Sequence, residues 1–263
     1  FLSSHDEDSL QYKLVNESKL SEEEAYNLMK VAATLQITAK GQPVLYYGEE
    51  IGQGGANNWP YQTNRRDFDW TELEKQKADS NSIYNHYKTM LAIRNAYTDV
   101  FARGNRSTVA VSDADGYEVI SRSYGNSTLY VGMNVKEAEK EVVIPVAESA
   151  GTVLTNLYDG KTYTVSADQN VSVTIPAAKD GGTIVLTAEK KTEPAPDEKQ
   201  DDKKTDTAES NGNAQSSGNN ANQSTSANKT NPKQEEQTVA EVTVQEESFA
   251  NVIEAVNKAK TGS

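Results

Sequence analysis

Gly41-Gln-Pro-Val-Leu-Tyr-Tyr-Gly-Glu-Glu50 contains a short apolar run, Val44 to Tyr47, bounded by Pro43 and Gly48. A run without polar alternation is typical of a strand that is buried on both faces of a parallel sheet. Two carboxylates follow directly, at Glu49 and Glu50. The stretch therefore predicts a buried parallel strand with acids at its carboxyl end, and we expect those acids to make structural hydrogen bonds to the adjoining loop.

Helices are predicted on both sides of this strand. Ser21-Glu-Glu-Glu24 is a capping box, in which a Ser hydroxyl and a Glu carboxylate satisfy the first backbone amides of a helix. An apolar face follows at three- and four-residue steps and ends at Gly41 and Pro43: Ala25, Leu28, Met29, Ala32, Leu35 and Ala39. A second amphipathic helix, ending near Tyr97, is marked by Ile83, Tyr87, Met90 and Leu91. The first hundred residues thus favour an alternating β/α arrangement.

Beyond about Thr108 the apolar period changes to two. Alternation is clearest in two triplets: Leu129, Val131 and Met133, then Val171, Val173 and Ile175. Turn signals separate the runs: Gly125-Asn126, Asp159-Gly160 and Gly181-Gly182. Short alternating strands at this spacing predict an antiparallel β-sandwich of roughly 80 residues.

Composition excludes several classes of protein. The chain has 39 acidic and 26 basic residues, a net charge of −13, whereas nucleic-acid binding needs clustered Lys and Arg to neutralise phosphates. It has no cysteine, which excludes disulfides, thiolate nucleophiles and Cys-ligated zinc. No apolar run approaches the ~18 residues of a membrane span. We therefore expect neither a nucleic-acid partner nor a membrane span in this sequence.

A polar segment follows the strands. Residues 189–238 contain no Val, Ile, Leu, Met, Phe, Tyr or Trp, so they cannot bury enough apolar surface to offset the entropy of ordering, and we expect a disordered linker. Val239-Ala-Glu-Val-Thr-Val244 then favours a strand, and Phe249, Val252, Ile253 and Val256 fall at helical spacing. The expected organisation is a β/α part at 1–104, a β-sandwich at 105–188, the linker at 189–238 and the start of a truncated further domain at 239–263.

The chain's first residues are candidates for chemistry. Phe1-Leu-Ser-Ser-His5-Asp6-Glu7-Asp8 places an apolar strand directly before a His and three acids, ahead of a helix. In parallel β/α barrels the catalytic side chains project from the carboxyl ends of the strands. A solvated loop of charged residues would have the same composition, so this motif alone leaves both interpretations open.

Three motifs together resemble the last two βα units of the α-amylase family of glycoside hydrolases. They are the Phe1–Asp6 stretch, Gly41–Glu50, and Asn64-Arg-Arg-Asp-Phe-Asp-Trp70, in that order and spacing. Tyr87-Lys-Thr-Met-Leu-Ala-Ile-Arg94 looks like the family's last barrel helix. The resemblance covers about residues 1–188. It implies the end of a TIM (β/α)8 barrel followed by a C-terminal antiparallel β-sandwich.

The resemblance also implies site residues. Family members are retaining enzymes that use a nucleophilic Asp, an acid/base Glu and a second Asp that stabilises the transition state. Asp6 matches that second Asp, and His5 matches the sugar-binding His beside it, although the family usually has Asn where this chain has Ser4. The nucleophile and the acid/base would lie upstream of Phe1. We therefore expect residues 1–263 alone to be inactive.

Three further residues are candidates for substrate binding. Arg65 lies where some relatives acting on short oligosaccharides carry a sugar-binding Arg, but Arg66 in that role or a structural ion pair is an alternative. Trp59 and Tyr61 could stack on glucose rings or pack their loop onto the barrel. No cofactor or metal site is identifiable in the sequence. The resemblance leaves open a structural calcium ion in the part of the barrel that would lie upstream.

The function implied is cleavage of α-1,4 or α-1,6 bonds in starch-like glucans or maltooligosaccharides. An α-glucan transglycosylase and a non-catalytic carbohydrate-binding or scaffold relative of the same fold are the alternatives. A long Asn/Ser/Thr-rich linker between modules is typical of exported multidomain bacterial enzymes, so we expect an extracellular or cell-surface location. Starch-binding or cell-wall modules beyond the termini would suit that design.

Overall fold

The computed structural model of the protein describes residues 1–188. Helices dominate its first hundred residues: α1 Leu10–Asn16, α2 Glu22–Thr38, α3 Trp70–Ala78, α4 Ile83–Ala96 and α5 Thr98–Arg103. The strands are β1 Asn57–Asn58, β2 Tyr61–Gln62, β3 Asn105–Ser112, β4 Tyr117–Tyr124, β5 Ser127–Asn134, β6 Lys140–Pro145, β7 Val153–Asn156, β8 Thr162–Thr164, β9 Asn170–Ile175 and β10 Thr183–Thr187. The linker expected at 189–238 and the further domain expected at 239–263 lie outside the described residues.

Helix α2 begins as its sequence predicts and ends at Thr38, shortly before the predicted stop at Gly41. Ser21 Oγ accepts from the backbone N–H of Glu24 at 3.2 Å, and Glu24 Oε2 accepts from the backbone N–H of Ser21 at 2.7 Å. The predicted capping box is therefore confirmed. At the other end, the buried guanidinium of Arg94 on α4 donates to the carbonyls of Ile37, Ala39 and Gly41. These bonds satisfy carbonyls that have no partner within the helix.

The two parallel strands predicted at Phe1–Ser3 and Val44–Tyr47 are not strands in the structure. Both stretches lie outside regular secondary structure, and Phe1 and Val44 are 74% and 59% exposed. The reason is that a strand exists only through hydrogen bonds to a neighbour, and every strand pair in residues 1–188 is antiparallel and involves other segments. The described residues accordingly contain no closed barrel.

The antiparallel sheets follow the predicted alternation. One sheet has six strands in the order β3-β4-β5-β10-β7-β8, and a second pairs β6 with β9. The predicted turn Gly125-Asn126 joins β4 and β5, which pair directly from Tyr124↔Ser127 onwards. Gly125 has φ +59°, a conformation that favours glycine in a two-residue hairpin. The sheets are thus built as the period of two indicates.

The six-stranded sheet has apolar residues on both faces. One face packs on α2, α4 and α5, where Ile120, Leu129 and Val131 share a core with Met90 and Phe101. The other face joins the two-stranded sheet in a second core formed by Val119, Tyr130, Ile184 and Leu186 with Val142, Ile144, Val171 and Val173. The helical part and the sheet part therefore share one apolar interior.

Buried polar side chains also join the two parts. Lys30 Nζ on α2 donates to the carbonyls of Asn81 at 3.0 Å and Lys179 at 2.7 Å. His86 Nε2 on α4 lies 3.0 Å from Thr34 Oγ1, and His86 Nδ1 lies 2.7 Å from the hydroxyl of Tyr158. Burial lowers the pKa of Lys30, and burial together with the Lys30 charge lowers the pKa of His86 to about 3. His86 is thus a neutral packing residue.

None of the helices described is long and apolar enough to cross a membrane.

Candidate functional site

The turn at residues 5–7 carries the predicted catalytic carboxylate. Asp6 Oδ2 lies 3.0 Å from Nε2 of His5, and both side chains are largely exposed. The backbone N–H of Asp6 donates to Ser4 Oγ at 3.2 Å, so the side chain of Ser4 helps to shape the turn. The turn leads into α1, where the Ser9 side chain accepts from the backbone N–H of Tyr12 as the N-cap. The carboxylate therefore stands at the surface beside an imidazole.

Arg65 joins this pair from a distant part of the sequence. Its Nη2 lies 3.0 Å from Asp6 Oδ1, and its Nε donates to the carbonyl of His5 at 2.9 Å. Each oxygen of the Asp6 carboxylate thus has its own partner, Arg65 on one side and His5 on the other. Arg65 therefore forms an ion pair, one of the alternatives that the sequence left open. Its partner in that pair is Asp6, the candidate catalytic acid.

The backbone of the turn is held by two asparagines that the sequence argument assigned no role. Asn64 Nδ2 lies 3.2 Å from the carbonyl of Ser4, 3.0 Å from that of His5 and 2.8 Å from that of Glu7. Asn57 Nδ2 donates to the carbonyl of Asp6 at 2.7 Å. Four consecutive carbonyls, from residue 4 to residue 7, therefore accept from side-chain amides. Asn64 is the first residue of the Asn64–Trp70 motif, and that motif is the sequence signal from which its role could have been predicted.

A small hairpin stands next to this turn. Strands β1 and β2 pair as Asn57↔Gln62 and Asn58↔Tyr61, and the hairpin carries Trp59 and Tyr61, which are 84% and 80% exposed. The backbone N–H of Asn57 donates to Asp8 Oδ1 at 2.5 Å, which fixes the hairpin to the turn. Because both aromatic side chains are in solvent, they do not pack the loop against the rest of the protein. The structure thus brings exposed aromatic rings close to the Asp6 turn.

Glycine is required where the hairpin meets the chain's first residues. A Cβ added to Gly55 would overlap the backbone of Thr63 and Asn64. The same glycine exchanges two hydrogen bonds with Ser9, its N–H donating to Ser9 Oγ at 2.8 Å and its carbonyl accepting from the Ser9 N–H at 2.9 Å. The backbone on either side of the hairpin is therefore packed tightly against the start of α1.

Two residues of the 41–50 stretch interact with the first residues of the chain. Burial, followed by a hydrogen bond to Tyr47, raises the pKa of Tyr46 to about 12, and the charges of Arg65 and Asp6 act on the same hydroxyl. Glu49 is buried and accepts a hydrogen bond from the Tyr87 hydroxyl at 2.8 Å, while burial raises the pKa of its carboxyl. Glu49 is structural, as expected, but its hydrogen bonds run to Tyr87 on α4, Gln36 on α2 and Ser3 instead of the loop that follows it.

The other acids of the turn are engaged elsewhere. Glu7 pairs with Lys13 at 3.4 Å, and Asp8 holds the hairpin. In residues 1–188, no three metal-ligating side chains come together. The arrangement offers one oriented carboxylate with a neighbouring imidazole and guanidinium. Chemically, such a group can accept hydrogen bonds from a polyhydroxylated ligand and stabilise positive charge that develops on it.

The chain is similar to several known enzymes, although no family model matches it. It is 29% identical over 148 residues to the cyclomaltodextrinase of Geobacillus thermopakistaniensis. That alignment covers 56% of this chain and 24% of the relative. It is 28% identical over 197 residues to the amylopullulanase of Thermoanaerobacter thermohydrosulfuricus, covering 68% of this chain and 12% of the relative. Neopullulanase 2 of Thermoactinomyces vulgaris is 30% identical over 123 residues, 46% of this chain and 20% of the relative. The chain thus spans a quarter or less of the length of each of these relatives.

Solved structures show the same likeness in fold. The α-amylase from H. orenii has a TM-score of 0.54 at 26% identity, covering 72% of this chain and 39% of that one. The α-amylase from Geobacillus thermoleovorans, solved with acarbose, has a TM-score of 0.58 at 22% identity, covering 73% and 39%. The fraction of this chain that these structures match, 72–73%, is close to the fraction made up by the described residues 1–188.

Proposed function

We propose that this chain, which resembles the α-amylase family of glycoside hydrolases in sequence and in fold, is part of a retaining enzyme that cleaves α-glucosidic bonds. Its substrates are starch-like glucans or maltooligosaccharides, the substrates that cyclomaltodextrinase and amylopullulanase relatives suggest by name. One observation carries the proposal: the Asp6 carboxylate is held between His5 and Arg65 on a turn with a clamped backbone.

Asp6 acts in this proposal as the acid that stabilises the transition state. As the glycosidic bond breaks, the sugar becomes oxocarbenium-like, and its hydroxyl groups become stronger hydrogen-bond donors. A carboxylate that is fixed in advance binds these hydroxyls more tightly in the transition state than in the ground state, which lowers the barrier. His5 donates to or accepts from a neighbouring hydroxyl of the same ring.

The proposed nucleophile and acid/base belong to strands upstream of Phe1. Retaining hydrolysis needs one carboxylate to attack the sugar and another to protonate the leaving oxygen. Asp6 is one carboxylate and cannot do both. The neighbouring acids are engaged elsewhere, because Glu7 pairs with Lys13 and Asp8 accepts from the backbone N–H of Asn57. The short share of each relative that this chain spans supports the same idea. We therefore propose that residues 1–104 complete a TIM barrel whose first strands come earlier in a longer protein, and that residues 105–188 are its C-terminal β-sandwich.

The same groups would serve hydrolysis and transfer to a sugar hydroxyl equally well, because only the acceptor in the second step differs. They also suit α-1,4 and α-1,6 bonds. We place the parent enzyme outside a bacterial cell or on its surface, with the segment at 189–238 as a linker to a further module.

The proposal is tested in the full-length parent protein with Asp6→Asn. This variant keeps the size of the side chain and removes its charge, so kcat on soluble starch should fall by about 10²-fold or more, comparable to the loss of one preorganised electrostatic group. Asp99→Asn is the matched control, because Asp99 is also exposed and paired with an arginine, Arg103, at 3.4 Å. A parent protein in which Asp6→Asn retains the wild-type kcat does not use Asp6 in this way.

A further inference from the structure

Asn64 combines burial with three backbone acceptors that surround one exposed carboxylate. It is only 6% exposed, and its one amide nitrogen lies within 3.2 Å of the carbonyls of Ser4, His5 and Glu7. An amide nitrogen carries two hydrogens, so three carbonyls share two donors. These three carbonyls flank Asp6 on both sides in the sequence. The side chain therefore contacts the backbone of the turn and leaves the Asp6 carboxylate to its own partners.

We infer that Asn64 is the positioning residue that sets the direction of the Asp6 carboxylate. The inference rests on the function proposed for Asp6. Asn64 does not touch substrate in this scheme. It acts through the backbone, by fixing the carbonyls on either side of Asp6, so that the side chain leaves the turn at one angle.

Apolar packing does not perform this task at the turn. Asp6, His5 and Glu7 are exposed, and residues 1–4 lie outside regular secondary structure. A short exposed turn of this kind has many accessible backbone conformations, and holding each residue in one of them costs conformational entropy. Hydrogen bonds from Asn64 and Asn57 to the four carbonyls supply the constraint that a buried core supplies elsewhere.

Asn64 is itself fixed in place. Its backbone N–H donates to the carbonyl of Ala56 at 3.2 Å, and it sits in the helical turn Thr63–Arg65. Gly55 packs so closely on this backbone that no Cβ fits between them. The next residue, Arg65, contacts the Asp6 carboxylate directly. One rigid turn therefore holds both the backbone and the side chain of the candidate acid.

The proposed chemistry makes this positioning measurable. A carboxylate contributes to transition-state stabilisation only in the right place, and a misplacement of about 1 Å can cost on the order of 10²-fold in rate. If Asn64 acts by orientation, its loss should lower kcat and leave KM less changed, since remote sugar contacts still bind the substrate.

The test uses Asn64→Asp in the full-length parent protein. The substitution is isosteric but removes both N–H donors and sets a carboxylate oxygen against three carbonyls. We expect kcat on soluble starch to fall by about 10²-fold with a change in KM of no more than about threefold. Asn64→Ser is the second variant, because it removes the amide without adding a charge and so keeps the test valid if the aspartate variant does not fold.

Asn85 provides a matched control. Its Nδ2 likewise donates to backbone carbonyls, those of Gln76 in the last turn of α3 at 3.0 Å and of Asp79 just after that helix at 2.8 Å. Asn85→Asp should lower the melting temperature to a similar degree as Asn64→Asp while leaving kcat unchanged. Loss of kcat in Asn64→Ser, measured on protein shown to be folded by circular dichroism, with kcat retained in Asn85→Asp, is the expected result.

Three outcomes overturn the inference, and the first two are distinct from failure of the proposed function. If Asp6→Asn abolishes turnover but the folded Asn64 variants keep the wild-type kcat, Asp6 is catalytic and Asn64 does not position it. If Asn85→Asp loses as much kcat as Asn64→Asp, the effect is general destabilisation. If Asp6→Asn itself keeps the wild-type kcat, the proposed function fails, and the role of Asn64 fails with it.

Discussion

Arg65 Nη2 and Asp6 Oδ1 lie 3.0 Å apart although 59 positions separate them in the sequence. The bond links the turn ahead of α1 to the segment ahead of α3. Both side chains are substantially exposed, so solvent screens the attraction and the pair adds little to the stability of the fold. The ion pair instead orients the Asp6 side chain, because Arg65 and His5 contact opposite oxygens of its carboxylate.

Replacing Arg65 by methionine separates orientation from stability. Arg65→Met removes the ion pair and the bond to the His5 carbonyl but keeps much of the aliphatic stem. The unfolding free energy should change by less than about 1 kcal/mol, as for other exposed pairs. We expect kcat on soluble starch to fall about 10-fold, as partial loss of an oriented charge would predict. Steady-state kinetics of Arg66→Met is the control, and equal losses in both variants would contradict a specific role for Arg65.

Trp59 should affect substrate binding without affecting folding. Its ring is 84% exposed, so Trp59→Ala removes almost no buried surface. Stacking of one aromatic ring is worth roughly 1 kcal/mol, which predicts a rise in KM for maltoheptaose of about 3- to 10-fold at nearly constant kcat. The chain's other tryptophan, Trp70, is 70% exposed and serves as the control. An unchanged KM in Trp59→Ala would remove this residue from the binding surface.

His86 makes stability depend on pH. Burial, followed by the Lys30 charge, lowers its pKa from 6.5 to about 3. Between these values the unfolded chain binds one proton more than the folded protein, so the free energy of unfolding falls as the pH falls. The slope approaches about 1.4 kcal/mol per pH unit and disappears below the folded pKa.

The His86→Asn variant tests this dependence. It costs stability at pH 7 because the bonds to Thr34 and Tyr158 change, but it cannot take up the proton. The difference in unfolding free energy between wild type and variant should therefore shrink between pH 6 and pH 4, measured by urea denaturation at fixed ionic strength. In Tyr158→Phe, which keeps the imidazole, the pH dependence should persist. A difference that stays constant with pH in His86→Asn would show that this imidazole does not control acid stability.

Lys30 should contribute to the junction of helices and sheet. Lys30→Met keeps the length of the side chain but leaves the carbonyls of Asn81 and Lys179 without their ammonium partner. An unsatisfied buried acceptor costs about 1–3 kcal/mol, partly offset because a charge is no longer buried. We expect a net loss of about 1 kcal/mol in unfolding free energy, against no change for the exposed Lys88→Met. A variant as stable as wild type would show that the junction does not depend on this ammonium.

Local signals in the sequence predicted much of this fold. Ser21 and Glu24 identified the start of α2, because a capping box involves only neighbours in sequence. Gly125-Asn126 identified the β4–β5 turn for the same reason. The short helices α3 and α5 were not predicted. The strand expected at Val44–Tyr47 was wrong for the described residues, since a parallel strand depends on a neighbour that residues 1–188 do not supply.

In the candidate site, too, contacts between residues that are distant in sequence could not be predicted. The resemblance indicated His5 and Asp6, and Arg65 was named with an ion pair as one alternative. Asn57 and Asn64 were not assigned a role, because an asparagine that binds carbonyls 51 or 60 positions away has no local pattern. The roles of all five residues stay predictions until the variants are measured.

The apolar face that the six-stranded sheet shares with α2, α4 and α5 also bears on the construction of hybrid proteins. A chimaera joined at residue 104 would set Ile120, Leu129 and Val131 of one parent against Met90 and Phe101 of another. Inserting extra methylenes into a close-packed interior typically costs about 1–3 kcal/mol, so such hybrids should be destabilised unless the side-chain volumes on the two sides of this contact match. In a hybrid protein the sheet and the helices it covers should therefore be exchanged as one unit.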